Sequence, residues 1–166
     1  MKTKTIFITI VLITFQFLIT SCHNNSNDIQ SKEAEKAIKD YLERTFEYIK
    51  PEGINIATFK VLGTDEKNDT IVYYVWAYII DYTNESNKLE ENRGSSLPVK
   101  LYLLNKNNIY TVVKAEKPLD GDQYDNSMKK LFPKDVYKQA SSFGNEEVDK
   151  LKKQSVKEAE EHFARI

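Results

Sequence analysis

One cysteine, two histidines, four prolines and five glycines in 166 residues leave this chain short of the side chains that most often carry chemistry. A lone cysteine closes no internal disulfide, so hydrophobic packing must hold the fold. It also offers no cysteine-histidine spacing for zinc. A Ser-His-Asp or Cys-His arrangement would have to draw His23 or His162 into a pocket, and no nucleophile elbow is present. Gly94-Ser95-Ser96 is not a phosphate-binding loop, because it lacks the glycine-lysine ending and precedes a strand. Neither sign of charge dominates: 24 lysines and arginines face 25 aspartates and glutamates. Their interspersion gives no basic patch for nucleic acid and no polybasic block for anionic headgroups. No feature calls for a cofactor.

What is present starts at the N-terminus. Lys2 and Lys4 precede an apolar stretch from Thr5 to Thr20, and Ile19-Thr20-Ser21-Cys22 follows. A basic start, a short apolar run and small residues before a cut describe a secretory signal peptide. A membrane-spanning helix wants about 20 apolar residues, and this run is shorter and contains Gln16. The Ile19–Cys22 tetrapeptide resembles the lipobox of a bacterial lipoprotein. The resemblance implies cleavage after residue 21, a diacylglyceryl group on the Cys22 thiol and usually a third acyl chain on its amine. Two or more chains hold firmly where one is marginal. The implied partner is the membrane, and the implied setting is the cell envelope. His23, where an aspartate would favour inner-membrane retention, directs the protein to an outer membrane facing the periplasm if the cell has two membranes.

Without residues 1–21 the chain keeps 145 residues with 22 basic and 25 acidic side chains, enough for one domain with a real core. His23 to Ser31 is polar and reads as a flexible tether reaching about 15–20 Å. From Ser31 as a cap, Ala34, Ala37, Ile38, Tyr41, Leu42, Thr45 and Ile49 recur at spacings of three and four, the mark of an amphipathic helix ended by Pro51 and Gly53. Ile54–Leu62 reads as a short strand and Asp65–Asp69 as a hairpin loop. Thr70–Tyr82 is apolar at both odd and even positions, which predicts a central strand covered on both faces. The polar stretch Thr83–Ser96 reads as a long connection. Leu97–Leu104 and Ile109–Ala115 read as two strands joined by Asn105-Lys106-Asn107-Asn108.

After Pro118 come a turn at Asp120-Gly121-Asp122, a short helix capped by Asp125 or Asn126, and a second opened by Pro133. A charged helix from Glu146 to Arg165 follows, with a narrow apolar stripe. The expectation is an α+β domain over residues 32–166: an N-terminal helix on a four-stranded antiparallel meander, then C-terminal helices. Cystatin-like and nuclear-transport-factor-like sheets share this form by analogy alone. Tyr74–Tyr78 running to Asp81-Tyr82, Gly94–Val99, Pro118–Tyr124 and Leu131-Phe132-Pro133 resemble, in order and spacing, a family of small secreted or lipid-anchored bacterial proteins without assigned activity. That resemblance implies a central strand, a glycine-serine piece opening the next strand, and an aspartate-glycine piece leading into the helices. It implies no reaction.

Two constellations could bind something. Tyr74, Trp76 and Tyr78 share a strand face, and Tyr102 and Tyr110 could join them; left open, such a face binds sugars, peptides or a protein. Covered by helices, it is core, the commoner use. Asp120, Asp122 and Asp125 could hold a cation, but their spacing fails the calcium-loop pattern and suits turns and caps better. The leading reading is a non-enzymatic, membrane-tethered binding or scaffolding module. The alternatives are an inhibitor or immunity-type protein acting through Thr83–Ser96, and a hydrolase using the Asp120 region.

Overall fold

Two alternating apolar stripes on one strand set the architecture. The computed structural model describes residues 23–45, 53–67 and 70–165, with side chains from Ser31 onward. Cys22 with the signal segment before it, and the expected helix end at Ile49 and Pro51, lie outside the described residues. Strands β1 (Ile54–Lys67), β2 (Thr70–Glu85), β3 (Lys88–Lys106) and β4 (Ile109–Glu116) form one antiparallel sheet in sequence order. Helix α1 (His23–Thr45) precedes it, and α2 (Tyr124–Leu131), α3 (Lys134–Ser141) and α4 (Asn145–Phe163) follow. This is the α+β meander with flanking helices that the patterning predicts.

The odd residues of β2 face α1. Ala34, Ile38 and Leu42 pack there against Tyr73, Val75, Ala77 and Ile79, joined by Val99, Leu101 and Leu103 of β3. The even residues face the C-terminal helices, where Val72 and Tyr74 meet Met128, Phe132, Val136 and Ala140. Farther along the same face, Tyr82 and Ile56 are closed over by Ala159 of α4. The sheet is therefore the middle of three layers. Two buried hydroxyls tie α4 down: Thr58 donates to the Leu151 carbonyl at 3.0 Å, and Tyr82 and Ser155 share a 3.0 Å bond.

Several expectations need correction. β1 does not stop near Leu62 but runs on to Lys67, so Asp65–Lys67, read as hairpin loop, pair with Val72–Thr70. The helix begins at His23 instead of being capped by Ser31, so the backbone of the stretch read as flexible tether is helical. Thr83–Ser96 is not a loop. Ser86 and Asn87 both have positive φ, 55° and 63°, as in a two-residue hairpin turn of type I′, and β2 and β3 run through the polar residues on either side. The ribbon outruns its neighbour, since β1 pairs with β2 only as far as Tyr82. With less to pack against, it carries few apolar residues and does not alternate. The Gly94–Val99 piece consequently lies inside β3 and does not open it. The cap of α2 is Gln123, with Asp125 in the first turn of the helix. Asn107 and Asn108, with φ of 54° and 64°, make the other tight turn.

Burial has a measurable signature at alkaline pH. It pushes the phenols of Tyr73, Tyr78 and Tyr82 above their ordinary value. Tyr74 goes up to about 12, through burial first and its bond to Asp65 second. Unfolded phenols release their protons near pH 10, so the unfolded state gains from deprotonation before the folded state does. Stability is thus complete below about pH 10 and drains away as pH climbs toward 12. Melting temperature is expected to show no tyrosine-linked loss up to about pH 9 and to fall beyond 10, with the buried phenolates appearing only as the protein unfolds. All tyrosines titrating together near pH 10 in a folded protein would contradict this packing.

Candidate functional site

The aromatic residues do not form an open platform. Tyr74 is buried under Phe132, with ring centroids 5.8 Å apart, and its hydroxyl donates to Asp65 Oδ2 at 2.8 Å. Trp76 lies flat on Phe143, centroids 4.4 Å apart and planes 8° off parallel, and its Nε1 donates to Ser96 Oγ at 2.9 Å. Tyr78 is buried. Tyr102 is half-buried on the same face, donates to Glu116 Oε2 at 2.7 Å, and has the Lys100 and Lys114 ammonium groups each 5.1 Å from its ring centre. Tyr110 belongs to the opposite face, packed with the α1 core and accepting a bond from Asn105 Nδ2 at 3.0 Å. Tyr74 and Tyr78 are thus buried beneath the C-terminal helices and Tyr110 beneath α1, while Trp76 and Tyr102 stay half-buried, so the five do not share one open face.

The aspartates do not converge on a cation either. Asp125 receives Lys129 Nζ and the Tyr137 hydroxyl, each at 2.6 Å, and those partners hold its carboxyl below the usual range. It ties α2 to α3. Asp120 and Asp122 are exposed in the turn around Gly121, whose φ is +65°. Among the described residues, no group of three or more His, Cys, Asp or Glu is placed to hold a metal ion. His162 is exposed on α4 with its ring set edge-to-face against Phe163. No helix among the described residues is long and apolar enough to cross a membrane.

The feature that pattern reading missed is the free edge of β1. Lys39 Nζ donates to the Ala57 carbonyl at 3.0 Å, and the Ala57 N–H donates to Glu43 Oε1 at 3.1 Å. Both polar groups of Ala57 therefore point away from β2. In an antiparallel ladder this orientation repeats every second residue, so Phe59 and Val61 turn their N–H and C=O the same way. Among the described residues neither meets a partner on that side. Just beyond, the register shifts between Val61 and Gly63, and this bulge ends the regular edge.

This two-residue window opens into a cleft of about 490 Å³ between α1 and α4. Lys32, Glu35, Lys36 and Lys39 of α1 form one wall, Gln154 of α4 stands opposite, and Phe59 and Val61 supply half-buried apolar floor. Lys39 is committed to Glu43 and to Glu158, which bridges the two helices below the window. The other outer edge is blunted differently. β4 pairs only with Lys100–Lys106, and the remainder of β3 carries exposed charges and, buried within it, Pro98, which has no N–H to offer. No sequence period marks the cleft, because it depends on which edge of the sheet the helices leave uncovered.

Hydrogen exchange tests the geometry. The Thr58 and Lys60 amides, turned into the ladder, are expected to exchange slowly, and the Ala57 amide to be slowed by Glu43. Those of Phe59 and Val61 should exchange as exposed amides do. Phe59 as protected as Thr58 would show that the edge is not open. Comparison with protein-family models, with curated proteins and with solved structures finds no match.

Proposed function

We propose that the chain is a lipid-anchored protein of the bacterial envelope, tethered through Cys22 and working as a non-enzymatic binding module. The observation that carries the binding half is the cleft over Phe59 and Val61, an uncapped strand edge walled by two helices. The anchoring half is supported by Lys2, Lys4, the apolar stretch and the Ile19–Cys22 tetrapeptide. If the cell has two membranes, the outer one is its place. The hydrolase alternative would have to work through Asp120 and Asp122 at the Gly121 turn, since Asp125 is engaged by Lys129 and Tyr137.

In-cell photo-crosslinking separates this module from an inert globule. A photoreactive side chain at Lys36, on the cleft rim, is expected to give a discrete adduct in the membrane fraction. The same group at Lys138, exposed on α3, should not. No adduct at Lys36, or identical adducts at both positions, counts against the reading. The inhibitor alternative draws on one other observation, the β2–β3 ribbon reaching past β1 to the Ser86–Asn87 turn. It requires that shortening the ribbon abolish inhibition of a cognate enzyme.

A further inference from the structure

We infer that the β1 edge at Phe59 and Val61 takes an extended peptide of another protein as an added strand; the inference rests on the binding reading above and names its ligand class. Paired N–H and C=O groups two residues apart are matched by one kind of occupant, a second extended backbone, which can return up to four hydrogen bonds. The window is bounded. Below it, Lys39 and Glu43 already occupy the Ala57 groups with side chains, doing for that residue what a strand would do. Above it, the bulge after Val61 breaks the repeat. An added strand is therefore limited to a core of about three residues, and the cleft lies at the small end of ligand-site sizes.

Side-chain chemistry follows from the alternation. Ligand residues opposite Phe59 and Val61 project toward α1, where Lys36 is exposed on the rim and Phe59 and Val61 give apolar floor. The residue between them projects toward α4, where Gln154 waits. Lys39 is taken up by Glu43 and Glu158, so an acidic ligand residue would meet Lys36. A short strand with an acidic and an apolar residue flanking a small polar one fits all three surroundings.

The probe is acetyl-Ala-Asp-Thr-Val-Ala-amide at about 5 mM, a concentration suited to contacts this small, added to the protein as isolated from bacterial membranes. Exchange of the Phe59 and Val61 amides should slow about tenfold, the protection given when the peptide stands at about nine times its dissociation constant. The same peptide N-methylated at its Asp and Val should have no effect, and Lys36→Glu should weaken the response. Unchanged Phe59 and Val61 exchange, or equal protection by the N-methylated peptide, overturns the inference. So does protection that rises with protein concentration without peptide, which would assign the edge to a second copy of this chain. The acylation state of Cys22, read by mass on the same sample, stands or falls separately.

Discussion

Gly94→Ala is expected to cost the fold about 2–3 kcal/mol, more than any surface change. A methyl group there would stand 2.1 Å from Ile80 Cδ1 and 2.4 Å from the Ile79 carbonyl oxygen. The first neighbour is a side-chain end that can turn. The second is backbone of the central strand and cannot. Gly94 pairs with Ile80 just before the register of β2 and β3 shifts, so the clash acts where the ribbon leaves the body of the sheet. Urea unfolding should show the loss, with a fall in melting temperature of about 5–10 °C for a domain of this size. A change below about 0.5 kcal/mol, the range of ordinary surface substitutions, would mean that the strands do not approach so closely.

Leu101→Ala is the second large effect. Leu101 is fully buried in the layer between sheet and α1, paired with Tyr73 of β2 and Ala115 of β4. Truncation removes its transfer free energy and leaves a cavity, a loss of about 2–5 kcal/mol. Ile109→Ala is the control. Its side chain is 70 % exposed at the start of β4, so its removal should change stability by no more than about 0.5 kcal/mol. Similar losses at the two positions would deny the layering.

Much of this layering is legible in the sequence, for physical reasons. A strand apolar on both sides must be covered on both sides, and Thr70–Tyr82 announced that directly. The α1 stripe through Ala34, Ile38 and Leu42 is the one that reaches the core. The ribbon was not legible, because strand patterning reports a buried face, and past Tyr82 the ribbon leaves β1 behind. Its turn is also disguised, since Ser86 adopts a positive φ usually given to asparagine or glycine. The aromatic face is real, but only the tertiary placement of Met128, Phe132 and Phe143 decides that it is covered. The open edge of β1 is harder still. It is defined by backbone groups, which every sequence has, and by the two residues that Lys39 and Glu43 do not reach.

The helical start at His23 also changes how the domain would sit on its anchor. A coil would let it tumble near the membrane, whereas a helix of 23 residues spans about 34 Å and leads straight into the packed stripe. In the reading proposed here, the cleft is carried at a set place relative to the bilayer, with Lys32, Lys36 and Lys39 on the same helix that begins beside Cys22.

Intact mass of the chain recovered from bacterial membranes tests the central claim most directly. The expected species lacks residues 1–21 and carries diacylglyceryl, with or without an amide-linked third chain, on Cys22. A full-length chain with an unmodified thiol would contradict it.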